Sequence, residues 1–231
     1  SLRYRRQILA LKHYFARHQS TVVLLDDLTS ETVDGAVHSI AHSVIHLDQL
    51  ARIYGGERRR VRIVKCRAQT FRGGYHDFTI GADGICVFPR LVAAEHRGEF
   101  VGDLIKSGVP ELDDLAGGGL AAGSSTLVIG PAGVGKSLLV LQYVAAAIAA
   151  GDRAALFVFD EELGLLLARA KKLGFDLSEM REAGKLMIEQ VDAAELSPGE
   201  FAHRVCRCVD REGTRVVAID SLNGYQAAMP E

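Results

Sequence analysis

The residues with the clearest chemical potential form a glycine-rich loop at positions 130–137. The loop reads GPAGVGKS and matches the pattern G-x-x-x-x-G-K-[ST] at every fixed position. Its glycines let the backbone turn so that N–H groups point at phosphate oxygens, and the helix that follows adds positive charge at its start. Lys136 supplies a charge for the β and γ phosphates, and Ser137 supplies a hydroxyl ligand for Mg²⁺. We therefore predict a nucleoside triphosphate site here, with an ordinary glycine-rich turn as the alternative.

Acidic residues follow two of the expected strands. Val216–Ile219 is an apolar run that ends in Asp220, and Ala154–Phe159 is followed by an acidic triplet at 160–162. Ligands collect at the carboxyl ends of parallel strands, so Asp220 is placed to organise Mg²⁺ and the triplet to supply a catalytic carboxylate. The alternatives are a helix cap or turn residue for Asp220 and an acidic first helical turn for the triplet.

Strands and helices alternate in the second half of the chain, which predicts a doubly wound, mostly parallel α/β sheet. Ser197 is placed to cap a helix that Pro198 begins. The expected strands are Thr126–Ile129, Ala154–Phe159, Leu186–Gln190 and Val216–Ile219, and the expected helices cover 136–150, 163–173 and 198–212.

The first half of the chain has a different pattern. A helix over the first 20 residues is followed by Thr21–Leu25, a continuous apolar run typical of buried parallel strands. Arg58–Arg67 predicts a strand with a basic face, and Asp77–Phe88 predicts a hairpin with Asp83-Gly84 as its turn. A short helix near Thr32–Ser43 and a linker at Arg90–Ser107 complete the outline.

Several segments, in their order along the chain, resemble those of KaiC-type RecA-like P-loop ATPases. They are SGVPELDDLAGGGL at 107–120, the loop at 130–137, FVFDE at 157–161 and VVAIDS at 216–221. The resemblance covers nearly the whole chain. Residues 1–100 resemble the end of one module, with its β-hairpin, and residues 101–231 resemble the beginning of the next. The resemblance implies a RecA-like fold and predicts that the chain is a fragment spanning two modules.

The resemblance also assigns roles to residues at matching positions. The family carries a catalytic acidic pair after the second strand, which falls on Asp160 and Glu161, and Glu161 is the expected base. Lys65 and Arg67 fall on a pair that reaches the γ-phosphate bound in a neighbouring subunit, and strand alternation places both on one face. A solvated basic strand edge is the alternative. The cofactor-binding set is Gly130, Pro131, Ala132, Gly133, Val134, Gly135, Lys136, Ser137, Leu138, Asp220, Lys65 and Arg67, the catalytic set is Glu161, Asp160 and Lys136, and the metal set is Ser137 and Asp220.

The function implied by the resemblance is Mg²⁺-dependent ATP hydrolysis by a ring-forming homo-oligomer, a hexamer in the family. The resemblance further implies serine/threonine autokinase activity, protein partners and an association with the circadian clock. Two alternatives stay open: a RecA/RadA-type DNA-repair ATPase, and a nucleotide-gated interaction module whose change on ATP binding is read by a partner. A further hypothesis is that the two homologous half-modules pair with each other in one sheet.

Composition and charge exclude several other classes of protein. The 231 residues are 48% hydrophobic and 24% charged, as in globular proteins, and the net charge of -2 argues against nucleic acid as a partner. No window of 18 apolar residues predicts a membrane span. Four cysteines are too few for a disulfide scaffold, so we expect reduced thiols in the cytoplasm.

Three histidines, His38, His42 and His46, repeat every four residues. That spacing suits a metal site on a helix. The apolar run Val44–Leu47 interrupts the helix, so ordinary histidines are favoured over metal ligands.

Overall fold

The computed structural model describes residues 2–27, 39–51, 55–96, 98, 102–159 and 161–227. The chain divides into two compact units, which are Ser1–Asp48 with Val61–Tyr75, and Gln49–Arg60 with His76–Glu231. These units interleave along the sequence. Because they do not follow the order of the sequence, they do not test the division into modules 1–100 and 101–231, which stays a prediction.

The amino-terminal helix and the basic strand of the first half both form. Helix α1 covers Leu2–Arg17, strand β1 covers Ser43–Leu50 and strand β2 covers Arg58–Cys66. The short helix expected near 32–43 falls mostly outside the described residues, and so does His38.

The buried strand expected at Thr21–Leu25 is a wrong prediction. This segment joins none of the sheets among the described residues. Val23 and Leu25 are 81% and 95% exposed. An apolar run shows only that a segment can be buried, whereas a strand also needs a neighbour that pairs with its backbone.

The expected hairpin forms within a first sheet whose strand order is β1-β2-β3-β4. Strand β3 covers His76–Gly81 and pairs antiparallel with β4, which covers Gly84–Phe88. The turn lies one residue earlier than predicted. Gly81 pairs with Gly84, which leaves Ala82 and Asp83 as the two turn residues, and Gly84 enters the strand with a φ of 99°.

A second sheet carries the parallel order β8-β7-β9 and confirms the predicted α/β class. Its central strand alternates between two cores, with Leu156 and Val158 on one face and Phe157 on the other. The strands are β7 Arg153–Val158, β8 Leu186–Gln190 and β9 Thr214–Asp220. The helices of this half are α2 Pro110–Leu115, α3 Lys136–Ala149, α4 Leu163–Lys172, α5 Leu177–Glu182, α6 Pro198–Glu212 and α7 Leu222–Ala227.

Helices cover both faces of this second sheet, as a doubly wound arrangement requires. Leu141 and Val144 of α3 and Leu166 of α4 pack with Leu156, each at most 2% exposed. Phe201 of α6 packs on Phe157 in an edge-to-face contact with ring centroids 5.3 Å apart. Burying one such side chain contributes about 1.5–3 kcal/mol. These contacts fix α3 and α4 where the phosphate loop and the acidic triplet meet them.

Two expectations about the second half are wrong. Thr126–Ile129 is extended chain outside any strand, with Leu127 67% and Ile129 82% exposed. In the residues that the structure describes, β1–β4 and β7–β9 form separate sheets, so the halves do not pair within one sheet. The expected linker is also more ordered than predicted. It holds a 3-10 helix at Ala93–His96 and strand β5 at Leu104–Ile105, which pairs with β6 at Leu120–Ala121.

No helix in the described part of the chain is long and apolar enough to cross a membrane. Cys66, Cys86, Cys206 and Cys208 are all free thiols. Burial raises the pKa of the Cys208 thiol.

Candidate functional site

The glycine-rich loop ends on the first residue of a helix, as its pattern predicts. Lys136 begins α3, and Gly135 stands immediately before it with a φ of 100°, which glycine adopts without strain. A Cβ on Gly130 would lie 2.9 Å from the Cγ1 atom of Val134, so a larger residue at the first position would require the exposed Val134 side chain to move. The start of α3 therefore presents free backbone N–H groups at the loop.

A cavity of about 250 Å³ opens beside this loop. Nζ of Lys136 donates to the carbonyl oxygens of Gly130 and Pro131, both at 2.9 Å, so the loop itself orients the ammonium group. Ala132 and Val134 are exposed on the outer side of the loop. The residues that line the cavity are Gly133, Gly135, Lys136, Ser137, Leu138, Leu141, Arg169 and Leu173.

The acidic triplet divides into residues with different roles. Glu162 is the N-cap of α4, and its carboxylate accepts hydrogen bonds from the N–H groups of Gly164 and Leu165, both at 2.9 Å. These two bonds lower the pKa of Glu162. The helix-start interpretation therefore fits Glu162. Asp160 lies outside the described residues.

Glu161 is paired with an arginine that the motifs do not indicate, although Glu161 itself is not among the residues that line the cavity. Nη2 of Arg169 donates to Oε2 of Glu161 at 2.7 Å, and Arg169 also lines the cavity. No spacing rule indicates this pair, because Glu161 precedes the helix and the i, i+3 and i, i+4 pairs lie within one.

Asp220 lies at the carboxyl end of β9, as predicted. Its register partner on β7 is Val158, and its carbonyl oxygen accepts a hydrogen bond of 2.8 Å from the N–H of Phe159. The aspartate thus stands beside the chain segment that leads into the acidic triplet. The cavity lining includes Lys136 and Ser137 but does not include Asp220.

The segment before the loop is anchored on α3. Ser107 is fully buried, its N–H donates to Oδ1 of Asp113 at 2.7 Å, and its carbonyl accepts from Nε2 of Gln142 at 2.9 Å. The hydrogen bond from Ser107 lowers the pKa of Asp113. A buried polar group satisfied in this way fixes the segment against the helix that Lys136 begins.

Lys65 and Arg67 belong to the first compact unit. Arg67 lies just beyond β2, where its guanidinium donates to the carbonyl of Ser39 at 2.9 Å. Desolvation lowers the pKa of Lys65, and the charges of Arg67 and Lys12 lower it further. Because β2 ends at Cys66, Arg67 is not part of the strand, and the shared face of Lys65 and Arg67 stays a prediction.

Comparison with known proteins assigns the chain to a family. A family model described as "ATPase: KaiC" matches residues 2–92 and 105–231. The chain belongs to the KaiC family of ATPases. The recognition made from the motifs, and the P-loop ATPase fold class, are thereby confirmed.

Several curated relatives carry the name circadian clock oscillator protein KaiC. The protein of Picosynechococcus sp. (strain ATCC 27264 / PCC 7002 / PR-6) is 34% identical over 94% of this chain and 42% of its own length. That of Prochlorococcus marinus (strain MIT 9313) is 40% identical over 57% of this chain and 26% of its own length. That of Acaryochloris marina (strain MBIC 11017) is 34% identical over 80% of this chain and 36% of its own length. The chain thus spans less than half the length of each of these relatives.

The family to which the chain belongs is one of P-loop ATPases. The glycine-rich loop lies within the matched residues, and its role as a nucleotide site stays a prediction. Among the described residues, no group of three or more His, Cys, Asp and Glu side chains could hold a metal ion. His46 lies within strand β1, and His42 just precedes it.

Proposed function

We propose that the protein hydrolyses Mg-ATP, with Lys136, Ser137 and Asp220 binding the nucleotide and its metal and Glu161 acting as the base. The observation that carries the proposal is the cavity at the loop, which Lys136, Ser137 and Arg169 line, together with the hydrogen bond from Arg169 to the Glu161 carboxylate. Asp160 is a second acidic residue of the proposed catalytic pair.

The residues present fit ATP with Mg²⁺. Donors suited to a polyphosphate stand at one end of α3, namely the N–H groups of its first turn and the ammonium of Lys136. The oxygen donors Ser137 and Asp220 are of the kind that Mg²⁺ prefers. When bound, Mg²⁺ neutralises charge that develops on the phosphate oxygens during transfer.

The protein's own residues then have separate tasks. Lys136 can exchange the carbonyls of Gly130 and Pro131 for phosphate oxygens without moving its helix, because all three belong to the same loop. Glu161 accepts a proton from the attacking water at a carboxylate oxygen. Glu162, engaged as the helix cap, has no such task.

A ring in which Lys65 and Arg67 reach the γ-phosphate of the neighbouring subunit completes the proposal. Two cations held close together suit a group with two or more negative charges. The orientation of Arg67 by the Ser39 carbonyl supports a fixed position for its guanidinium. The division into half-modules 1–100 and 101–231 is a separate proposal, supported by a family match in two segments. If each half-module serves a site of its own, Arg67 and Lys136 act at different sites, and the mixture described next shows no recovery.

The test mixes two inactive variants of the full-length protein. Lys136→Ala removes the loop charge and Arg67→Ala removes the cation expected to act in trans. In a ring of randomly mixed subunits at equal concentration, about a quarter of the sites combine an intact loop with an intact neighbouring cation. We therefore expect ATP hydrolysis to recover to about a quarter of the wild-type rate.

The matched control mixes Lys136→Ala with Glu161→Gln. Both changes fall on the loop side of the site, so no mixed site is intact and hydrolysis stays at the level of the separate variants. Recovery in the first mixture equal to that in the control would exclude a shared site. ATP hydrolysis by Glu161→Gln at the wild-type rate would exclude Glu161 as the base and leave a nucleotide-gated module.

The clock and kinase extensions are separate proposals. The relatives are named as circadian clock oscillator proteins, and we extend that role to this protein, in the cytoplasm. The test is the period of a reporter rhythm in cells that carry Lys136→Ala. Autokinase activity predicts transfer of labelled γ-phosphate to serine or threonine of the purified protein, and absence of label during active hydrolysis would exclude it.

A further inference from the structure

Arg169 connects two parts of the proposed site. It lines the cavity with Lys136 and Ser137, and its Nη2 atom donates to Oε2 of Glu161 at 2.7 Å. One side chain therefore contacts both the nucleotide cavity and the carboxylate expected to act as base.

The helix that carries Arg169 is fixed at its start and along its length. Both carboxylate oxygens of Glu162 cap α4, and Leu166 and Ala170, which are 2% and 0% exposed, pack it into the core. Arg169 follows the cap by about two helical turns, so it lies on the same face as the start of the helix. The backbone position of Arg169 is thus set by a rigid element, and the hydrogen bond joins its side chain to Glu161.

The ion pair has little structural purpose of its own. The side chains of Arg169 and Glu161 are 48% and 28% exposed, and pairs this open to solvent add little to folding stability. A charge-assisted hydrogen bond does, however, restrict the rotamers of a glutamate that would otherwise sample several positions. The main effect of Arg169 is therefore on where the Glu161 carboxylate stands.

We propose that Arg169, which lines the cavity, is a positioning residue that fixes the Glu161 carboxylate beside it. The proposal rests on the proposed role of Glu161 as the base. A reacting group displaced by about 1 Å costs on the order of 100-fold in rate, whereas nucleotide binding depends on the loop and is left intact. Arg169 thus acts on the rate of hydrolysis and not on the affinity for ATP.

The experiment measures ATP hydrolysis and nucleotide binding by variants of the full-length protein. We expect Arg169→Ala to lower kcat by at least about ten-fold while KM for ATP, and Kd for a non-hydrolysable ATP analogue, change by less than about two-fold. Arg169→Lys recovers part of kcat because an ammonium group still donates to the carboxylate. Lys172→Ala, which removes an exposed charge from the last turn of the same helix, behaves as wild type and is the matched control.

A double variant separates positioning from other roles. In single-turnover experiments on the Glu161→Gln protein, adding Arg169→Ala should have less than a two-fold effect, because Arg169 acts through Glu161. A raised KM and analogue Kd with unchanged kcat would make Arg169 a phosphate-binding residue and overturn the proposal. So would a kcat equal to that of Lys172→Ala. Loss of hydrolysis in Glu161→Gln beside normal hydrolysis in Arg169→Ala would sink this inference alone, whereas normal hydrolysis in Glu161→Gln would sink the proposed base.

Discussion

The carboxylate of Asp77 accepts a hydrogen bond of 2.8 Å from the backbone N–H of Gly199, 122 residues further along the chain. Asp77 lies on β3, and Gly199 is in the first turn of α6. The same carboxylate accepts from Nε and Nη2 of Arg58, at 2.7 and 3.0 Å. The hairpin is thereby fixed to the helix that packs on Phe157, within one compact unit.

Removing the Asp77 carboxylate should destabilise this compact unit. The side chain of Asp77 is 4% exposed and that of Arg58 is 18% exposed, so Asp77→Ala leaves a buried guanidinium and a helix N–H without their acceptor. We expect a loss of about 3 kcal/mol in the free energy of unfolding, measured by urea denaturation. Asp83→Ala, at the exposed turn of the same hairpin, is the control and should cost less than about 0.5 kcal/mol. Equal stability of the two variants would contradict this account.

Gly199→Ala tests the same contact from the helix side. A Cβ at this position would lie 2.6 Å from Oδ2 of Asp77, so the carboxylate must move away from the N–H that it accepts from. Alanine is more favourable than glycine within a helix by about 1 kcal/mol. If Gly199→Ala stabilised the protein, the close contact with Asp77 would therefore be absent. We expect instead a lower melting temperature. Gly81→Ala, where a Cβ meets nothing within 4 Å, should leave the melting temperature nearly unchanged.

The sequence predicts the elements whose bounds are set by neighbouring residues, such as helix ends and the phosphate loop. Ser197, Pro198 and Gly213 mark both ends of α6, and the structure places the helix between them with Ser197 accepting from the N–H of Glu200. Leu186–Gln190 is a strand with the predicted bounds. The phosphate loop is equally local, since its glycines and Lys136 act within one turn of chain.

Contacts between distant residues could not be predicted in this way. Thr21–Leu25 and Thr126–Ile129 have the composition of buried strands, but composition does not indicate whether a neighbouring strand is present. The pairing of Arg169 with Glu161 depends on side-chain rotamers, and that of Asp77 with Gly199 depends on the tertiary fold. Lys65 and Arg67 were predicted only because the family supplies a role for them.

Glu162→Gln should separate the helix cap from the catalytic carboxylate. Glutamine keeps one oxygen that can accept from Gly164 or Leu165 but loses the charge, so the start of α4 weakens. We expect a melting temperature lower by a few degrees and a kcat for ATP within about three-fold of wild type. Glu161→Gln should show the opposite pattern, with unchanged melting and a large loss of kcat. Identical kinetics in the two variants would mean that the acidic triplet has no divided roles.

Ser137→Ala should weaken the binding of Mg²⁺ and leave the binding of nucleotide nearly unchanged. The loop N–H groups and Lys136 remain, so the affinity for ADP without Mg²⁺ should stay within about three-fold of wild type. Loss of a hydroxyl ligand should raise the Mg²⁺ concentration needed for half-maximal hydrolysis by about ten-fold. Ser125→Ala, at an exposed position before the loop, is the control. An unchanged Mg²⁺ requirement would remove Ser137 from the metal site.

Asp113→Asn should make the free energy of unfolding depend less on pH in the acidic range. The hydrogen bond from the N–H of Ser107 lowers the pKa of Asp113 in the folded protein, whereas an aspartate in the unfolded chain has a pKa of about 3.9. The ionised carboxylate therefore stabilises the folded state above about pH 4, and this contribution is lost as the pH falls through the lowered folded pKa. In urea denaturation between pH 3 and 7, the stability difference between wild type and Asp113→Asn should be full at neutral pH and shrink toward pH 3. Asp114→Asn, at the exposed neighbouring position, should differ from wild type by a small amount at every pH. A wild-type advantage that grew as the pH fell would contradict the assigned hydrogen bond, which also holds the segment before the loop on the helix that Lys136 begins.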